Sequence, residues 1–224
     1  IDGEQLALTR AGTEQGFGTC VGWPVPGNTV RLIRIHDETI AQWHDALLIA
    51  PGEIGEVTVA GPSATDSYFR REQANRLGKI SEVDPHGVER TVHRMGDLAW
   101  HDSQGRLWFC GRKSQRLQTR QGLLGTENVE PIFNGHPAVK RSALVGIGAY
   151  GQQTPVLCIE REPSQTISET QLKAELLDIA GTYTHTRQID TFLIHPGFPV
   201  DIRHNAKIGR EQLTAWATKK LART

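Results

Sequence analysis

The stretch Arg94-Met95-Gly96-Asp97-Leu98-Ala99-Trp100-His101-Asp102-Ser103-Gln104-Gly105-Arg106-Leu107-Trp108-Phe109-Cys110-Gly111-Arg112-Lys113 reads as a single β-hairpin. Two β-favouring runs, residues 97–100 and 106–110, flank the polar segment Asp102-Ser103-Gln104-Gly105. A polar turn that closes on glycine is the pattern of a tight strand reversal. Arg112 ends the second run fifteen residues after Asp97, so pairing brings that guanidinium close to that carboxylate.

The sequence before the hairpin has the same strand texture. Val30, Leu32, Ile33 and Ile35 form one apolar cluster, and Ile54, Val57 and Val59 form another. Pro26-Gly27-Asn28, Pro51-Gly52 and Gly61-Pro62 mark the turns between strands. No segment of residues 1–112 reads as a long amphipathic helix, so this part is expected to be mostly β. After the hairpin both periods occur. Residues 143–147, 156–160 and 191–194 read as strands, while Ser168-Glu169-Thr170-Gln171 matches a capping box. Leu172, Leu176 and Ile179 follow at helical spacing. A last helix is expected from about Lys207 to Leu221, with Leu213 and Trp216 on one face and Lys219 and Lys220 near its cation-favouring end. The expected class is therefore α+β: a β-rich piece over residues 1–112, then a small α+β piece over residues 113–224.

Composition narrows the function. The chain has 224 residues, 38% hydrophobic and 22% charged, enough to bury a core and too apolar for a disordered segment. Lys plus Arg is 25 and Asp plus Glu is 25, which excludes nucleic-acid binding as the main role because neutralising phosphates takes a basic excess. The balance hides a split: residues 1–112 carry 11 basic against 15 acidic groups, net −4, and residues 113–224 carry 14 against 10, net +4. No apolar run approaches the ~20 residues of a membrane helix, so an integral membrane protein is not expected. Cys20, Cys110 and Cys158 show no paired spacing, which favours a reducing cytoplasm over a disulfide framework. No metal site is expected either, since the nine histidines show no ligand spacing. The chain begins with Ile1 and its one methionine is Met95, so its numbering is expected to start inside a longer polypeptide.

Three residues could carry chemistry. Asp97, beside Gly96, either satisfies turn amides or accepts two hydrogen bonds from adjacent hydroxyls such as those of a ribose. Arg112 is either a surface residue at a strand end or a fork for ribose and phosphate oxygens. Lys207 follows the polar loop Asp201-Ile202-Arg203-His204-Asn205-Ala206. It either begins a solvated basic helix or reaches into a cleft to stabilise charge on a phosphate in transfer. Gly52-Glu53-Ile54-Gly55-Glu56-Val57 suggests only a strand with its turn, and Gly16, Gly18 and Gly22 lack the Gly-Lys-Ser/Thr ending of a phosphate loop.

Taken in order, Gly-Glu-Ile-Gly-Glu-Val at 52–57, Gly61-Pro62, Tyr68-Phe69, Met95-Gly96-Asp97-Leu98, the hairpin ending Gly111-Arg112-Lys113, and a late lysine before a final helix resemble the adenylate-forming superfamily. The likeness runs from about Gly18 to the end of the chain. It implies that Asp97 binds the ribose hydroxyls of ATP or AMP, that Arg112 contacts the same nucleotide, and that Lys207 is the lysine of the adenylation half-reaction. It also implies a small mobile C-terminal domain that swings about Ser114, where the family more often has Asp or Lys. Opposite net charge on the two pieces is then expected to help the lysine-bearing domain close.

Two departures refine the resemblance. The family's Arg-Gly-aromatic loop, which lines the thioester-forming site of coenzyme A ligases, is here Arg120-Gln121-Gly122-Leu123, and the glycine usual before the lysine is Ala206. Both are similar to the branch of bacterial olefin biosynthesis that makes β-lactones. That branch implies adenylation of a long-chain β-hydroxy acid, then displacement of AMP by the substrate's own hydroxyl, and other olefin-biosynthesis enzymes as partners. The alternatives are a fatty acyl-CoA ligase and a non-catalytic nucleotide-binding or interaction module. The family's Pro-Lys-Gly phosphate loop and its Tyr-Gly-x-Thr-Glu segment, which supplies the Mg2+ ligand, are absent and are expected before Ile1, together with the acyl pocket.

Overall fold

The computed structural model describes residues 1–84, 86–201 and 207–223. Two compact units emerge, residues 1–9 with 18–114 and residues 10–17 with 115–224.

The first unit is built on an antiparallel sheet. Its strands are β1 (Thr19–Gly22), β2 (Thr29–Ile33), β3 (Gly55–Ala60), β4 (Lys79–Val83), β5 (Glu89–His101) and β6 (Leu107–Arg112). They run in the order β1-β6-β5-β3-β2, with β4 also paired to β5. The two-residue period sends neighbours to opposite faces: Leu32 packs with Val57 and Ala99, whereas Ile33 packs with Leu47, Ile80 and Val92. The hairpin of β5 and β6 pairs Trp100 with Trp108, whose rings stack 5.9 Å apart. Asp102 ties its turn together. One carboxylate oxygen accepts the amides of Gln104 and Arg106 (both 2.9 Å), and the other accepts Arg106 Nε (2.7 Å) and Trp108 Nε1 (2.9 Å). Burial alone would raise its pKa, but these donors outweigh it and hold the group at about 2.

Two helices accompany the strands of this mostly β part. α1 (Gly3–Glu14) buries only Thr9 and leaves Leu6 and Leu8 exposed, and α2 (Glu72–Gly78) buries nothing. Neither carries an apolar stripe, which is why periodicity does not reveal them.

The second unit has strands β7 (Leu117–Thr119) and β8 (Gly122–Leu124), helix α3 (Thr126–Asn134), strands β9 (Val139–Ile147) and β10 (Thr154–Arg161), and helix α4 (Glu169–Thr182). β11 (Thr191–His195), β12 (Val200–Asp201), β13 (Lys207–Ile208) and α5 (Arg210–Leu221) follow. β10 is central, antiparallel to β9 and parallel to β11. Leu144, Leu157, Ile159 and Phe192 face Val129, Phe133, Leu172 and Leu176 of α3 and α4. Ala143, Val145, Val156, Cys158 and Leu193 face Leu213 and Ala217 of α5. Burying both faces explains the near-continuous apolar run of β10.

Two local expectations change. Ser168 Oγ accepts the Gln171 amide at 3.1 Å, as a cap should, but the Gln171 side chain donates to Glu175 at 3.0 Å instead of returning to Ser168. The last helix starts at Arg210 rather than Lys207. Lys207 and Ile208 instead pair with Asp201 and Val200, which lets Ile208 join the apolar cluster beneath α5.

Glu160 on β10 anchors the same unit. Its carboxylate meets Lys140 Nζ (2.8 Å), Arg141 Nη2 (2.7 Å) and the Phe198 amide (2.9 Å). Burial opposes ionisation, yet these partners prevail and bring its pKa to about 2 from the usual 4.5. A depressed carboxylate stabilises the fold above the unfolded value, and that stability disappears as pH falls through the folded one. Glu160→Gln is therefore expected to cost about 2 kcal/mol at neutral pH, discounted for the half-exposed Lys140, and to flatten the acid limb of stability between pH 4.5 and 2. Urea midpoints measured across that range check it, and an unchanged acid limb would contradict it.

Candidate functional site

Asp97 is inside β5 rather than at a strand's start, and it is a bulge that presents it. In the β3–β5 register Glu56 faces Leu98 and Thr58 faces Arg94, so Met95, Gly96 and Asp97 together oppose Val57. Gly96 takes φ +68°, a conformation that side chains disfavour, and so turns the strand at this point. A second irregularity in β6, with Gly111 at φ +117°, shifts the partner strand so that Asp97 is paired directly with Arg112.

Arg112 Nη1 approaches Asp97 Oδ1 at 3.0 Å, and Arg112 is more than half exposed. That approach lacks the direction of a hydrogen bond, and Oδ1, itself buried, has no hydrogen-bond donor. Arg112 instead donates a long 3.5 Å bond to the Met95 carbonyl. Burial raises the Asp97 pKa, opposed by Arg112. An under-satisfied carboxylate beside an exposed guanidinium suits a ligand with adjacent hydroxyl donors. Asp102, five residues later, is the opposite: both of its carboxylate oxygens already accept hydrogen bonds from the protein.

The residues flanking this pair in sequence join a buried ionic network, in segments whose residue types suggest only strand. Glu56 and Arg94 side chains are each 1% exposed and meet at 2.7 Å. Lys113 Nζ joins the same Glu56 oxygen at 3.1 Å and donates to the His36 carbonyl at 2.7 Å. Arg94 also donates to the carbonyls of His36 (2.5 Å) and Glu38 (2.8 Å). Arg94 precedes Asp97 by three residues and Lys113 follows Arg112, so Glu56 ties down both strands just beside the candidate pair. The available signal is a lone acid and a lone base within runs of strand residues, each needing a partner to be buried.

Ser114 is exposed in a short 3-10 turn, Lys113–Gln115. In the second unit the displaced glycine belongs to a tight hairpin in which Thr119 pairs with Gly122 and Arg120-Gln121 form the turn, with Arg120 bound to Gln152 at 3.0 Å. Lys207 is exposed on β13, paired with Asp201, while Arg203, His204, Asn205 and Ala206 lie outside the described residues. Asp97 and Arg112 thus come together in the first unit, and Lys207 belongs to the second. Among the described residues no group of three or more His, Cys, Asp or Glu side chains could hold a metal ion.

A test of the Asp97 geometry follows from its ionisation. A raised carboxylate pKa means that its neutral form stabilises the fold, an effect complete below the unfolded value of 3.8 and lost as pH rises through the folded value. Asp97→Asn is therefore expected to leave thermal stability at neutral pH equal to or above the parent. With the ribose-binding role that the resemblance implies for Asp97, AMP affinity is expected to fall about 10- to 100-fold, the worth of charged hydrogen bonds to two hydroxyls. Calorimetry of AMP binding alongside a melting curve checks both. A destabilised variant that still binds AMP normally would contradict them.

No family model matches the chain. It is 53% identical over 98% of its length to the olefin beta-lactone synthetase of Xanthomonas campestris, and the aligned region is 40% of that protein. The fold is similar to an anthranilate CoA ligase solved with anthranoyl-AMP, with a TM-score of 0.70 and 23% identity over 91% of this chain and 36% of that one. It is also similar to the o-succinylbenzoate coenzyme A synthetase of Bacillus subtilis solved with ATP and magnesium, with a TM-score of 0.65 and 22% identity over 87% of this chain and 35% of that one. The chain therefore spans less than half the length of the proteins it matches. The sequence likeness over nearly the whole chain and the shared fold give one conclusion: this chain is similar to olefin beta-lactone synthetases and has the fold of the corresponding part of adenylate-forming ligases.

Proposed function

We propose that the protein carrying this chain adenylates the carboxylate of a long-chain β-hydroxy acid and then closes a β-lactone. In the first step a carboxylate oxygen attacks the α-phosphorus of ATP, giving the acyl adenylate and pyrophosphate. In the second, the substrate's β-hydroxyl adds to the activated carbonyl, loses its proton, and expels AMP. The carboxylate oxygen bonded to phosphorus leaves with the AMP. An attached nucleophile has a high effective molarity, so no coenzyme A channel is required, and departure of AMP offsets the ring strain. The 53% identity to an olefin beta-lactone synthetase carries this reading.

Within it, Asp97 accepts the ribose hydroxyls and Arg112 holds nucleotide oxygens, which suits the orphaned Oδ1 and the exposed guanidinium. Lys207 stabilises charge that builds at the α-phosphate. Ser114 is the hinge between the Asp97-bearing and Lys207-bearing parts. Mg2+, when bound, neutralises phosphate charge. Among the described residues no cluster of side chains could hold it. A cytoplasmic setting suits three free, buried cysteines, and no helix among the described residues is long and apolar enough to cross a membrane. Other enzymes of olefin biosynthesis are the expected partners.

The full-length protein, given ATP and a β-hydroxy fatty acid with and without coenzyme A, separates the readings. A lactone formed without coenzyme A is the expected product. A thioester formed only with coenzyme A identifies an acyl-CoA ligase, and failure to consume ATP identifies a non-catalytic module.

A further inference from the structure

α5 begins with a buried ionic clamp that the proposed reaction does not use. Arg210, its first residue, makes a two-pronged contact with Glu130 of α3: Nη1 to Oε1 at 2.5 Å and Nη2 to Oε2 at 2.9 Å. The Glu130 side chain is 9% exposed and that of Arg210 16%. Glu130 Oε1 also accepts the Leu144 amide at 2.8 Å, and Arg210 donates to the Leu144 carbonyl at 3.3 Å. The four groups fasten α3, the centre of β9 and the start of α5 at one point.

Lys207 is three residues from that point. The intervening chain has little freedom: Ile208 is paired with Val200 and packed in the cluster below α5, and the Gly209 amide donates to the Pro199 carbonyl at 2.7 Å. Lys207 itself is exposed, so among the described residues its position is set chiefly by its backbone. We propose that Arg210, held by Glu130, is the positioning residue that fixes the Lys207 backbone for adenylation. This inference rests on the role given above to Lys207. A guanidinium fork is needed because it fixes direction as well as distance, which a lysine ammonium cannot do.

The test uses Arg210→Lys and Glu130→Gln in the full-length protein, with Lys207→Ala beside them. Acid-dependent pyrophosphate exchange reports adenylate formation, and conversion of supplied acyl adenylate reports the later step. Arg210→Lys is expected to lower kcat for exchange on the order of 10- to 100-fold, since misplacing a reacting group by about an ångström has that effect. KM for ATP and the rate from supplied adenylate are expected to stay within about twofold, as for an interaction made only in the transition state. Equal losses in both half-reactions, or an unchanged kcat, would overturn the proposal. If Arg210→Lys fails to fold, Glu130→Gln decides by the same split. Failure of both to fold while Lys207→Ala folds would make the pair a determinant of the fold and overturn the positioning role. Unchanged exchange in Lys207→Ala instead overturns the role of Lys207, a separate outcome.

Discussion

Lys207→Ala is expected to lower the rate of adenylate formation by about two to three orders of magnitude, the usual cost of removing one donor to a developing oxyanion. ATP affinity is expected to change by less than about threefold, because the role proposed for Lys207 is on charge that appears only in the transition state. The structure makes this a clean substitution. Lys207 is exposed on a two-residue strand held by backbone pairing with Asp201, so deleting its side chain removes little packing against the described residues. The measurement is single-turnover formation of acyl adenylate alongside ATP binding by calorimetry. A variant that adenylates at the parent rate would remove Lys207 from the mechanism.

Glu56→Ala is expected to cost about 3 to 5 kcal/mol of stability, the penalty for leaving a buried charge uncompensated. Two cations depend on Glu56: Arg94, almost fully buried, and Lys113, with 18% of its side chain exposed. Arg94 keeps its bonds to the carbonyls of His36 and Glu38, but nothing neutralises its charge. The Glu56→Met, Arg94→Met double variant is expected to lose less than the sum of its singles, since apolar residues of similar size often replace a buried pair at little cost. Four of the five tryptophans belong to the first unit, so urea unfolding followed by fluorescence reports on it. A loss below about 1 kcal/mol in Glu56→Ala would show that the network does not hold the hairpin. Nucleotide affinity is a second readout, because the network grips Arg94 and Lys113 on either side of Asp97 and Arg112.

These two residues also mark the limits of what can be read in the sequence. The hairpin was legible because its turn chemistry is local: Asp102 supplies acceptors to Gln104, Arg106 and Trp108, all within six residues. The pairing of Asp97 with Arg112 followed from that turn. The bulge that re-aims Asp97 did not, because it depends on the register against β3, which lies about 40 residues earlier in the chain. Glu56 and Arg94 were illegible for the same reason, being 38 residues apart and in contact only through the sheet. α1 has no apolar face to give a helical period, and α5 starts only at Arg210 because Ile208 is paired with Val200 and packed against the cluster beneath the helix. The Arg210–Glu130 clamp joins residues 80 apart. Local chemistry was readable, and long-range electrostatics needed the fold.

The central claim is that the carboxylate is activated by transfer to AMP. A β-hydroxy fatty acid labelled with oxygen-18 in both carboxylate positions, incubated with ATP and the full-length protein, tests it through the masses of the phosphate products. The account predicts one heavy oxygen in AMP, none in pyrophosphate, and one retained in the lactone. Unlabelled AMP, or label in ADP or inorganic phosphate, would contradict it.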